Sequence, residues 1–170
     1  MEEKKLKLIS ILKLMGIKSI SEIKGSEDPT EDHKSFELRL RIQKIMFFLN
    51  RNNLDGDLNY SYSIYLRGPY SPDLAKDYFT ITEDEFNKAK NLFDNESLLR
   101  RTIEFLNKKD LLWLEVASTL RYLIDGGYEK DEAIDRVMEL KDYILKENNK
   151  DYNYVKGVLE EMEENNELHL

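Results

Sequence analysis

The segment from Phe36 to Leu49 constrains the fold more than any other part of this chain. Leu38, Ile42, Ile45, Met46 and Leu49 fall at i, i+4, i+7, i+8 and i+11, the spacing of one helical face, while Leu40, Phe47 and Phe48 put apolar surface on the other faces. A helix that is apolar around most of its circumference must be surrounded, so the chain has to supply several packing elements. Their punctuation is explicit. Leu8, Ile11, Leu12 and Met15 share a face of a first helix that Gly16 ends with a left-handed cap. Ser19 and Glu22 have the spacing of a capping box, and Gly25 closes the short helix they open. Ser71-Pro72 offers an N-cap hydroxyl followed by a proline suited to the first helical position, which predicts a helix over 72–79. Thr82 and Glu85 form a second capping box ahead of Phe86, Ala89 and Phe93. Helical spacing predicts further helices over 97–107 and 111–124, then one from Asp131 through Leu145, and a last one carrying Val155, Val158, Leu159 and Met162.

Two stretches break this rhythm. Ser26 to Ser35 contains no apolar residue and reads as a polar linker. Tyr60 to Leu66 alternates aromatic or aliphatic residues with small polar ones, which predicts an extended ribbon ended by Gly68-Pro69. The expected fold is therefore mainly α: a compact multi-helix domain with one short β-ribbon near the middle and an N-terminal helical hairpin. Residues 1–25 form the hairpin, 26–35 the linker and 36–170 the helical domain.

Composition narrows the chemistry. Among 170 residues there is no cysteine, which removes thiol nucleophiles, disulfides and zinc-thiolate sites and suits a reducing, cytoplasmic compartment. The two histidines, His33 in the polar stretch and His169 beside the C-terminus, are poorly placed for a catalytic triad, so no catalytic residue is expected. No apolar run approaches the roughly 18 residues of a membrane helix. Asn53 to Asn59 alternates oxygen-bearing side chains, but counted as a calcium loop its sixth and twelfth positions are Leu58 and Ile64, so it reads as a turn and no metal or other cofactor is expected. Glycine-rich phosphate loops are absent as well.

The net charge of −8 is unevenly spread: +3 over residues 1–51, −4 over 52–128 and −7 over 129–170. The acidic last third, including Glu160, Glu161, Glu163 and Glu164, disfavours contact with a phosphate backbone and would suit a partner with a basic surface. The basic first third leaves room for an alternative, a DNA-binding regulator using Lys13, Lys18, Lys24, Arg39 and Arg41.

The most distinctive pairing joins Arg41-Ile42-Gln43-Lys44-Ile45-Met46-Phe47-Phe48-Leu49 to Tyr65-Leu66-Arg67-Gly68-Pro69-Tyr70-Ser71-Pro72. Together with Trp113 to Leu123 and Glu132 to Lys141, these residues resemble the YwgA-like proteins and the related Panacea domain, the SocA-type antitoxin domain, over Leu38 to about Met162. The resemblance implies a protein that neutralises a toxin encoded beside it by direct contact, with no catalytic residues. The first 35 residues lie outside it, and Leu66 and Arg67 stand where an aromatic or small polar residue is usual in the family.

The candidate partner-binding residues are Gln43, Lys44, Tyr60, Tyr62, Arg67 and Tyr70, since tyrosine and arginine dominate interface hot spots. Tyr65, Gly68, Pro69, Ser71 and Pro72 form the structural corner beside them, with Tyr65 and Tyr70 expected to pack on the helix of Ile42 to Leu49. For Gln43 and Lys44 two roles stand side by side: hydrogen bonds to the corner backbone, or the polar lining of a small pocket.

Overall fold

The computed structural model describes residues 2–26, 28–93 and 95–170. Its first two helices, α1 (Glu3–Leu14) and α2 (Ser21–Lys24), make the expected N-terminal hairpin. Gly16 and Gly25 end them at φ +91° and +78°, conformations that a Cβ would strain. The Ser19–Glu22 box forms on one side only, Glu22 accepting from the backbone of Lys18 and Ser19.

The polar stretch is the first correction. Residues 29–35 are not a linker but the opening turns of α3 (Pro29–Arg51), which runs unbroken into the core segment. Asp28 caps it by accepting from the Thr30 amide at 2.8 Å, and Pro29 sits at the first helical position. Polar composition here marks the helical turns ahead of the core: Thr30, Asp32, His33 and Lys34 are exposed, and Ser35 is the first buried position. The hairpin is likewise not a separate unit: Leu8, Ile9, Ile11, Leu12 and Ile23 are buried in one continuous core with α3. From Ile42 to Leu49 every residue of α3 is buried, as a helix apolar all round requires.

The ribbon is shorter than its alternation predicts and turns elsewhere. β1 (Ser63–Tyr65) pairs antiparallel with β2 (Gly68–Tyr70), matching Tyr65 to Gly68 and Ser63 to Tyr70. Gly68-Pro69 therefore does not end the ribbon but begins its second strand, and Leu66-Arg67 make the turn. Gly68 carries the left-handed conformation, φ +100°, at the place where a tight hairpin loop needs it. A Cβ there would lie 2.9 Å from Thr119 Oγ1.

Helices α4 (Pro72–Thr80), α5 (Glu83–Lys88), α6 (Ser97–Asn107) and α7 (Leu111–Asp125) follow, the first with the Ser71 cap and the second with the complete Thr82–Glu85 box. Where one helix was expected through Leu145 there are two, α8 (Lys130–Leu140) and α9 (Asp142–Glu147), broken at Lys141, whose backbone leaves helical geometry at φ −116° and ψ 19°. The last helix is α10 (Tyr152–Glu164). α3 packs on α7, α7 in turn on α8 and α10, and β2 lies against both α3 and α7. No helix of the described residues is long and apolar enough to cross a membrane.

Candidate functional site

The corner residues are held by consecutive side chains of α3. The fully buried Gln43 amide spans Ser71: its Nε2 donates to the Ser71 carbonyl at 3.0 Å while its Oε1 accepts from the Ser71 amide at 2.8 Å. Lys44, also fully buried, donates from Nζ to the Pro69 carbonyl at 2.8 Å. The first of the two roles open to these residues is thus realised by both, and Lys44 in addition lines a cleft of about 350 Å³ with Tyr65, Gly68 and Tyr70.

Around Lys44 the structure assembles a charged cluster whose other members lie far apart in sequence. Glu115, in the middle of the buried face of α7, accepts from Arg67 Nε at 2.7 Å and is 1% exposed, whereas the Arg67 side chain is 37% exposed. Lys141, at the break between α8 and α9, is 3% exposed, and its ammonium makes no hydrogen bond or ion pair with any described residue. The cluster holds three cations and one carboxylate. Burial pulls the Lys44 ammonium from its ordinary 10.5 to about 7, Glu115 opposing the shift and Lys141 and Arg67 adding to it. Burial also lowers Lys141, again countered by Glu115 and reinforced by Arg67. A second cleft, of about 500 Å³, opens beside this cluster, lined by Leu66, Arg67, Glu115, Leu140, Lys141 and Tyr143 among others.

The rim of that cleft is apolar and exposed. Leu66 at the ribbon tip is 86% exposed and Tyr143 77%, with Leu140 beside them; Tyr65, 52% exposed, lines the neighbouring cleft of about 350 Å³. Tyr65 thus departs from the expected packing on α3; its ring instead meets Tyr70 edge-to-face at 5.6 Å. Tyr70 is half-buried and packs against the core.

Tyr60 and Tyr62 are corrected in the opposite sense. They precede the ribbon and face inward. Tyr60 is buried and donates to Asp77 Oδ2 at 2.7 Å; the Tyr62 ring meets Phe47 edge-to-face at 5.5 Å, and its hydroxyl is buried with no partner among the described residues. Burial raises the pKa of both phenols. Neither is an exposed anchor; of the six candidates, Gln43, Lys44, Arg67 and Tyr70 come together at the corner.

Two of the cluster's four charged groups, Glu115 and Lys141, had not been singled out from sequence. The signal was present: Lys141 falls on the stripe of Ile134, Val137 and Leu145, and Glu115 lies inside the apolar run of α7. A charge at a core register position is costly, and such charges mark sites more reliably than exposed tyrosines do.

The basic N-terminal residues are largely committed to the fold. Lys13 donates to the Ala89 carbonyl, Arg39 to the Ile23 carbonyl, and Arg41 to the carbonyls of Lys109 and Asn107. Lys18 and Lys24 remain exposed. His33 pairs with Glu37 one turn along α3, and His169 is exposed. Glu161 accepts from Trp113 Nε1 and Lys109, and Glu163 pairs with Lys130. Comparisons with protein-family models, with curated proteins and with solved structures find no match.

Proposed function

We propose that this chain is a non-enzymatic protein-binding module, antitoxin-like in that it neutralises or regulates a partner protein by direct contact. The observation that carries this reading is the ribbon tip. Leu66 stands almost wholly in solvent at a turn whose second strand is anchored to the core by Gln43 and Lys44, beside Tyr65, Leu140 and Tyr143. Single exposed apolar residues are ordinary, but a group of them on a fixed frame, with an arginine among them, has the make-up of an interface hot spot. Covering a leucine or tyrosine of this kind contributes about 1.5–3 kcal/mol. The occupant is a protein surface offering a recess for Leu66. The acidic last third, charge −7, attracts any basic region on the same partner at long range and speeds encounter. The resemblance of the 41–49 and 65–72 segments to YwgA-like and Panacea domains supports a toxin-like partner encoded nearby.

Co-expression with the product of the adjacent gene, followed by size-exclusion chromatography, tests this. A stable complex is expected, and Leu66→Asp should weaken it at least tenfold while leaving the melting temperature unchanged, since the residue is 86% exposed. A wild-type chain that forms no complex, or a complex indifferent to Leu66→Asp, overturns the reading. The DNA-binding alternative gains no observation here, with three of its five cations bonded to backbone carbonyls.

A further inference from the structure

We infer that the cleft of about 500 Å³ beside the ribbon tip is a carboxylate receptor, with Lys141 at its base, that accepts an acidic side chain flanked by apolar residues of a partner protein. The protein nature of the donor rests on the binding reading above. The receptor itself rests on Lys141.

Lys141 is 3% exposed as a residue, its ammonium is bonded to no described residue, and the nitrogen is not among the fully enclosed polar atoms: a largely desolvated cation whose open side faces the cleft it lines. Its neighbours compensate it only in part, Glu115 acting on it through space without a hydrogen bond and Arg67 opposing. Glu115, the one carboxylate inside the cluster, is engaged by Arg67 Nε at 2.7 Å, and the Lys44 ammonium is spent on the Pro69 carbonyl. What remains is a surplus of positive charge at the base of an open cleft, with the partly exposed Arg67 guanidinium beside it.

The walls identify what would neutralise it. Leu66, Leu140, Ile144 and Tyr143 make the rim apolar, so a ligand that fills the cleft must be mostly hydrocarbon and carry its charge at one point. Glu115 within and Glu147 at the mouth repel a multiply charged anion such as phosphate, but a single carboxylate meets one ammonium and the edge of one guanidinium. A glutamate or aspartate set between leucines has this chemistry. The position of Lys141 fits the assignment: a leucine there would complete the stripe of Ile134, Val137 and Leu145, and the lysine instead places a cation beneath an apolar rim.

The test uses the full chain, isotope-labelled for NMR at pH 7, titrated with a capped pentapeptide alternating leucine and glutamate, with its glutamine counterpart, and with inorganic phosphate. The glutamate peptide is expected to move the amide signals of residues 66–68 and 140–147 and to bind at least tenfold tighter than the glutamine peptide. Lys141→Met should erase that difference while the chain stays folded by circular dichroism. Leu66→Asp, an exposed change that puts a carboxylate at the mouth, should weaken the glutamate peptide selectively. Equal affinity for the two peptides, no effect of Lys141→Met, or displacement of the peptide by equimolar phosphate overturns the receptor. A partner complex without peptide discrimination removes the receptor alone; discrimination without a partner complex removes only the partner reading.

Discussion

Gln43 and Lys141 are both polar side chains taken out of water within one neighbourhood, and they could hardly be treated more differently. The Gln43 amide has a donor and an acceptor, and Ser71 meets both. Lys141 is nearly as buried as a residue, but its ammonium hydrogen-bonds neither a carboxylate nor a carbonyl of any described residue and opens on the cleft. Satisfied burial fixes architecture, here the place of the ribbon. Unsatisfied burial of a charge works against the fold, and it is the latter that points outward to a ligand.

Three measurements would break or sharpen this contrast, and the largest effect should come from pH. The Gln43–Ser71 pair carries no charge and should be silent, whereas the cluster should respond. Folding depresses the Lys44 pKa from 10.5 to about 7, so the unfolded chain binds more protons across that window and stability rises with pH. The gain from this one group between pH 7 and 10.5 is roughly 4 kcal/mol, and Lys44→Met should flatten the corresponding slope in urea midpoints. Above pH 10 the sign reverses, because the raised phenols of Tyr60 and Tyr62 keep protons that the unfolded chain releases. Next in size, Gln43→Leu strands the buried Ser71 amide, the Ser71 carbonyl keeping the Ala75 amide, and should cost about 2 kcal/mol in equilibrium unfolding. The smallest effect has the opposite sign: Lys141→Met removes a partly compensated ammonium and should stabilise by about 1 kcal/mol at pH 7. A destabilised Lys141→Met would mean that the ammonium is satisfied in the free chain.

The helical skeleton was legible from the sequence because capping residues and 3.6-residue periodicity are local signals: α6 and α10 run where Leu99, Ile103, Leu106 and Val155, Val158, Met162 place them. The misreadings each came from a contest that local pattern does not settle. Ser26 to Ser35 looked like a linker because exposed helical turns and loops share a polar composition; Asp28 and Pro29 held the better clue. Tyr60 to Leu66 looked like one strand, but its first aromatics are pulled inward by Phe47 and Asp77 before the ladder begins. At the site, Gln43, Lys44 and the corner could be named from spacing. The meeting of Glu115 and Lys141 with Arg67 could not, since it depends on α7, the α8–α9 break and the ribbon converging in space.

The double attachment of β2 has one more consequence, in the entropy of recognition. Pro69 and Ser71 are gripped two residues apart by neighbouring positions on the fully buried stretch of α3, and Gly68 is wedged against Thr119. With both carbonyls fixed, the strand has no free rotation about its own axis, so Leu66 has no hinge on which to wander. A visitor that docks there is not charged for freezing a loop. The loss of overall translation and rotation remains, but the loop-ordering cost is absent, so a ribbon of six paired residues suffices where a flexible loop would need a larger contact.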